Sequence, residues 1–271
     1  MLGKIFSLAV LTFREGVRDR AILGIGLFSI AMMSVTLVFL GFFMRELYKV
    51  AVDINLSAIS LAGLLLTFFL SINLMAKDID KRTIYCVMSK PFSRAEYIWG
   101  KYFGLILILL TAFSVLLLCS SLTIWVAKIQ FANWFKAFSW ISYYKAAYAA
   151  FLMFAVLNAM VVFFSSITSS SFITLLFCIS IYIAGQTIEE VVNYLKSGSG
   201  KEAPLSESIR SIIDIIQYVL PNFSLFDLKI QASHAIPLSL NYMFGITLYA
   251  FIYSAILLVA ASLIFNKREL S

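Results

Sequence analysis

Apolar residues run on for twenty or so positions at six places in this chain, about 21–43, 56–76, 102–125, 146–166, 172–192 and 243–265, and five of the six contain no Asp, Glu, Lys or Arg. A helix of roughly 20 residues crosses a hydrocarbon core about 30 Å thick. Hydrocarbon offers the backbone no water, so only helices or closed barrels span it, and continuous rather than alternating apolarity selects helices. The composition agrees: 62% of the 271 residues are hydrophobic and 13% charged, against about 45–50% and 25% in soluble domains. The expected fold is an all-α integral membrane protein with six transmembrane helices.

The three cysteines, Cys86, Cys119 and Cys178, are odd in number and widely spaced, and two fall inside spans. That pattern fits neither a disulfide framework nor a zinc site. Residues 1–20 are charged and the first apolar run is too long for a cleavable leader, so the first span is expected to remain as a permanent helix. With six spans both termini share a side. Of the 21 Lys and Arg, 12 fall in segments 1–20, 77–101, 167–171 and 266–271, at about twice the density of the other connections, which places the termini in the cytoplasm. A basic inner face toward anionic lipid headgroups accounts for the net charge of +7 without any nucleic acid.

KIFSLAVLTFREGVRDR near the N-terminus reads as an amphipathic helix, with Leu2, Ile5, Phe6, Ala9, Val10, Phe13 and Val17 on one stripe and Lys4, Ser7, Arg14, Glu15 and Arg18 opposite. It serves either as an interfacial anchor or as a docking helix for a partner. Between the second and third spans, Asp78 to about Met88 can form a short helix, Pro91 ends it, and Ser93 is placed to cap a helix running into the third span. The mixed charge of segment 77–101 favours a protein partner over lipid, since a lipid-binding tail is more uniformly basic. Segment 193–242 is the longest soluble stretch, and Leu205, Ile209, Ile212, Ile213, Ile216 and Leu220 recur in it at helical spacing, predicting outer amphipathic helices before the sixth span.

Catalytic constellations are missing. GSGK at 198–201 lacks the preceding glycine and the following Ser or Thr of a phosphate loop, so no nucleotide motor is expected in this chain. His234 has no Cys or carboxylate at ligand spacing, and the serines of SSITSSS at 165–171, read as a polar turn, have no paired base. Among ionisable residues only Glu189 and Glu190 fall within a span, and they are read as sitting in about its last turn, at the outer interface. Asn73, Asn158 and Gln186 are read as helix–helix hydrogen bonders.

The run from Asp78 to Gly104, DIDKRTIYCVMSKPFSRAEYIWGKYFG, closely resembles the cytoplasmic segment of the ABC type-2 exporter permeases, especially the branch that includes the nitrous-oxide-reductase maturation permease. Asp78 and Asp80 match that family's acidic pair, Thr83 its threonine, Lys90, Pro91, Ser93 and Arg94 its core, and Gly100, Lys101 and Gly104 its end, while Arg82 stands where the family has glycine. Residues 1–20 resemble its elbow helix, residues 21–271 its six-span domain, and LPNFSLFDLK at 220–229 a stretch before its last span. The resemblance implies a permease subunit without an ATPase site, in a bacterial cytoplasmic membrane. It implies a dimer of two copies, each seated on a separate soluble ATPase that carries ATP and Mg. Segment 77–101 becomes the coupling segment, with Asp78, Asp80, Lys90, Pro91, Ser93, Arg94, Gly100 and Lys101 as coupling residues, and Lys90 and Arg94 as partners for acidic groups of the motor. The family's substrate path lies near the second and fifth spans, which makes Asn73, Gln186, Glu189 and Glu190 its candidate lining. A membrane scaffold anchoring a non-ATPase partner is the alternative. An intramembrane enzyme lacks the side chains it would need.

Overall fold

The chain begins with α1 (Leu2–Val17) and α2 (Ala21–Leu40), followed by a 29-residue helix, α3 (Leu47–Met75). Next come α4 (Arg94–Gln130), α5 (Trp140–Ile167), α6 (Ser171–Lys196), the short α7 (Lys229–Ser233) and α8 (Leu240–Lys267). This computed structural model describes residues 2–18, 21–42, 46–75, 93–168, 170–196, 217 and 219–267, and no strand occurs among them. Both the expected helix at 78–88 and the amphipathic stripe of 205–216 lie outside the described residues.

Among the described residues five helices are long and apolar enough to cross a membrane: α3, α4, α5, residues Ser171–Tyr194 of α6, and α8. The first expected span corresponds to α2, which contributes the apolar stretch Ile30–Leu40. The helices outrun the apolar segments. At 37 residues α4 is about 55 Å long, well beyond a 30 Å hydrocarbon core, so it projects past the bilayer. The expected connection at 44–55 is helical from Leu47 onward, and Glu46 precedes it in a left-handed conformation (φ 56°) with its carboxylate 2.8 Å from Lys49 Nζ. That ion pair lowers the Glu46 pKa.

The polar turn expected at 165–171 is narrower, since α5 runs through Ile167 and α6 begins at Ser171; the Thr168 hydroxyl lies 2.5 Å from that of Thr174 in α6. The end of the bundle that carries Ser93, Ile167, Ser171 and Lys267 is its base; the other end is its top. α5 forms the centre of the bundle: Phe154, Val156, Leu157, Ala159, Val161 and Val162 are inaccessible. Large apolar side chains such as Leu118, Phe172, Phe244 and Phe251 cover the outward faces of α4, α6 and α8, as suits a protein whose solvent is hydrocarbon. Tyr48, Phe135, Phe138, Trp140 and Tyr143 form a linked aromatic cluster at the top, the kind of girdle that sits at a membrane–water interface.

Hydrogen bonds inside the bundle fix helix pairs that apolar packing alone would leave ambiguous. Ser71 Oγ donates to Asn158 Oδ1 at 2.5 Å, so Asn158 acts as the interhelical bonder its sequence position suggested. A larger network was not foreseen. Asn55 donates to Thr36 Oγ1 (3.4 Å) and accepts from Ser120 Oγ (2.9 Å), and Ser120 also bonds the Tyr143 hydroxyl, joining α2, α3, α4 and α5. A double-mutant cycle of Asn55→Ala with Ser120→Ala, read by unfolding in mixed micelles, is expected to give a coupling of about 0.6 kcal/mol, the average for such bonds in membranes. Strict additivity would show that the pair makes no contribution.

Candidate functional site

The base of α4 is built outward from one cap. Ser93 Oγ accepts from Glu96 N (3.2 Å) and Ser93 N donates to Glu96 Oε2 (2.8 Å), a reciprocal arrangement that satisfies two of the helix's orphan donors. It bears out the expected cap and fixes the direction in which α4 leaves segment 76–92. Asp78, Asp80, Lys90 and Pro91 belong to that segment and lie outside the described residues.

Arg94 turns inward, toward the end of the last span. Its Nη1 donates to Phe265 O (2.9 Å) and Asn266 O (3.0 Å) in the final turn of α8. The last carbonyls of a helix have no intrahelical donor, and a cation there also opposes the helix dipole. One turn along α4, Tyr97 stacks on Phe265 with ring centroids 5.8 Å apart. The expectation that Arg94 faces a partner protein therefore meets an intramolecular role first.

Gly100, Lys101 and Gly104 form the seat of α1. A Cβ on Gly100 would come within 2.7 Å of Leu8 Cδ2, and one on Gly104 within 2.5 Å of Thr12 Cβ and 3.0 Å of Ala9 O. Small residues one turn apart allow such close backbone approach. Lys101, almost wholly buried, places Nζ 3.9 Å from Glu15 Oε2 on α1. The seated face of α1 is thus Leu8, Ala9, Thr12 and Gly16, which overlaps the apolar stripe at Ala9 and is otherwise turned away from its largest side chains. Phe6 and Val17 of that stripe remain exposed, because close packing selects small side chains while the large ones face the surrounding medium.

Segment 219–228 lies against the upper half of the bundle. Phe223 N donates to Gly185 O (3.0 Å) in α6, and Tyr249 of α8 accepts from Asn222 N (2.9 Å). The Tyr242 and Tyr253 hydroxyls donate to Leu225 O (2.7 Å) and Val219 O (3.0 Å). Gly185 sits about 21 Å along α6 from Ser171 at 1.5 Å per residue, so this irregular backbone reaches well into the bundle. Non-helical backbone at such depth requires protein partners for its polar groups, and the tyrosines supply them. Pro221, Phe223, Phe226 and Leu228 are buried.

The four residues expected to line a path fall in different places. Asn73 is exposed, at a lateral cleft of about 470 Å³ that it shares with Phe68, Phe69, Ile72, Ser171 and Phe172. The cleft adjoins a π-helical stretch of α3, Leu66–Ser71, a distortion frequent at functional sites. Gln186 lies far up α6, where Nε2 donates to Tyr182 Oη (3.2 Å) and approaches Met153 Sδ (3.6 Å). Glu189 accepts from Asn222 Nδ2 (3.3 Å) and from the Ser224 hydroxyl, whereas Glu190 is exposed. α6 continues to Lys196, roughly two turns past Glu189, and Glu189 holds the 219–228 segment. The cleft and the tyrosine contacts join residues distant in the chain, and no local sequence pattern announces them.

The described residues form a polytopic helical bundle with an N-terminal helix keyed to the base of the long helix α4. The chain belongs to the ABC-2 family of transporters, whose family model matches residues 7–270. It is accordingly a multi-pass transmembrane subunit of an ABC transporter, of a family that generally pairs with soluble ABC ATPases. A comparison with curated proteins finds no match.

Proposed function

We propose that the chain is the permease of an ATP-driven exporter, two identical copies of which each rest on a separate soluble ATPase carrying ATP and Mg. Family membership over nearly the whole chain is the observation that carries this reading. In it, residues 1–20 are the elbow and residues 21–271 a six-span domain, with α2 as the first span and both termini in the cytoplasm of a bacterium. Segment 77–101 is the foot that meets the motor, through Asp78, Asp80, Lys90 and Pro91. The rigid cap at Ser93 and the seat at Gly100, Lys101 and Gly104 support this assignment, because a foot transmits force only if the helix behind it cannot swing. The sequence of the foot points to the nitrous-oxide-reductase maturation branch. Cargo moves between the two copies near α3 and α6, beside the Asn73 cleft, with segment 219–228 over the outer end and Gln186, Glu189 and Glu190 close to it. Surrounding lipid contacts the exposed apolar faces.

The test is to purify the tagged chain in mild detergent, with and without ATP and vanadate, beside a Lys90→Glu chain. A Walker-motif ATPase should accompany the wild-type chain and fall at least tenfold in the variant. No ATPase, or another protein held regardless of nucleotide, would overturn the reading in favour of a membrane scaffold.

A further inference from the structure

We infer that a polar cavity between α3, α5 and α6 is a site for one ordered water molecule, which ties α3 to α6 beside the end of segment 219–228. The cavity measures about 20 Å³, and its walls include Ser60 of α3, Met153 of α5, Tyr182 and Gln186 of α6, and Asp227 and Lys229. This site does not depend on the permease reading.

Three polar side chains there keep hydrogen-bonding capacity that the described residues do not fill. Ser60 is only 8% exposed, and its hydroxyl has no partner among them. Gln186 directs Nε2 to Tyr182 Oη (3.2 Å) and Met153 Sδ (3.6 Å), which leaves the Gln186 Oε1 acceptor and the Tyr182 hydroxyl proton uncommitted. A buried hydroxyl left without a partner is destabilising. Two donors and an acceptor around one cavity match a single water, which typically makes about three hydrogen bonds to such groups. The water is then the hydrogen-bonded link between Ser60 and the Tyr182–Gln186 pair.

Size and charge exclude other occupants. A water needs roughly 10–15 Å³ of such space, so the cavity takes one, and no metabolite, lipid chain or polyatomic anion fits. Lys229 Nζ lies 3.4 Å from Asp227 Oδ2, so the two charged groups at the cavity offset each other and a bare ion would find no counter-charge. Apolar cavities stay dry, whereas one with several converging polar groups is hydrated.

The experiment is X-ray hydroxyl-radical footprinting of the full chain in nanodiscs, read by mass spectrometry and repeated after rapid mixing with oxygen-18-labelled water. Radicals formed from a bound water oxidise the side chains beside it. Met153 and Met160 lie on the same helix at 4% and 2% exposure, so accessibility alone would make them react equally. The site requires at least fivefold more oxidation at Met153, with oxygen from a water that exchanges slowly with bulk. Ser60→Ala should bring Met153 down to the level of Met160. It should also lower the unfolding midpoint by about 2–4 °C, the shift for one lost hydrogen bond. Equal oxidation of the two methionines in wild type overturns the site, as does immediate oxygen-18 incorporation, which would mean open access to bulk water. An unchanged or raised midpoint in Ser60→Ala, the result of deleting a hydroxyl with no bond to lose, overturns it too. The wild-type footprint decides the matter even where the variant fails to fold.

Discussion

Gly104→Val is expected to unseat α1 and destabilise the chain by about 3 kcal/mol, the upper range for overpacking a tight contact. The Cβ would lie 2.5 Å from Thr12 Cβ and 3.0 Å from the Ala9 carbonyl oxygen. A side-chain atom can rotate away, but a helix backbone oxygen cannot, so the whole of α1 has to move. The neighbouring Lys101–Glu15 pair, 3.9 Å apart, would separate with it. Thermal unfolding followed by fluorescence-detected size exclusion measures the loss. Gly245→Ala in α8 is the control, because nothing lies within 4 Å of its Cβ; it should be neutral or stabilise by up to about 1 kcal/mol through helix propensity. Equal behaviour of the two variants would rule out the keyed seat.

Gly185→Val should expel segment 219–228 from α6. A Cβ there would stand 2.3 Å from Pro221 O and 2.6 Å from the Phe223 ring. The Phe223 N–Gly185 O bond and the Glu189 contacts to Asn222 and Ser224 would be lost together. Overpacking and the lost bonds sum to about 3 kcal/mol, which corresponds to roughly a hundredfold rise in local opening. Hydrogen exchange of the 219–228 amides reads that rise directly, with the amides of α5 as the unchanged reference. Wild-type exchange at 219–228 in the variant would mean that the segment is held elsewhere.

Much of the scaffold was legible from one-dimensional signals. Six apolar runs foretold the bundle, five of them recovered as span-length helices, and Ser93 marked the start of α4. Side chains whose role depends on a distant partner were not legible. Arg94 was implied as a partner for acidic groups of the motor, yet two of its acceptors lie 171 and 172 positions away in the same chain. Glu189 was read at the outer interface and as candidate path lining, with no sign of its bonds to Asn222 and Ser224, and Asn55 drew no notice although it links Thr36 with Ser120. The seating of α1 followed its amphipathic stripe only in part, burying Ala9 and leaving Phe6 and Val17 exposed.

The sequence by itself determined the medium, the helical class, the approximate positions of the spans and the local cap, because each follows from hydrophobicity and hydrogen-bonding chemistry within a few residues. Only the tertiary structure decided which faces meet and which polar groups close the contacts. Lipid and helix surface are equally apolar, so hydrophobic pattern cannot choose a packing face inside a membrane. The choice falls to glycines that permit close approach, such as Gly104 and Gly185, and to the polar groups of Arg94, Asn55, Glu189 and the α8 tyrosines, which find their partners only when the chain is folded.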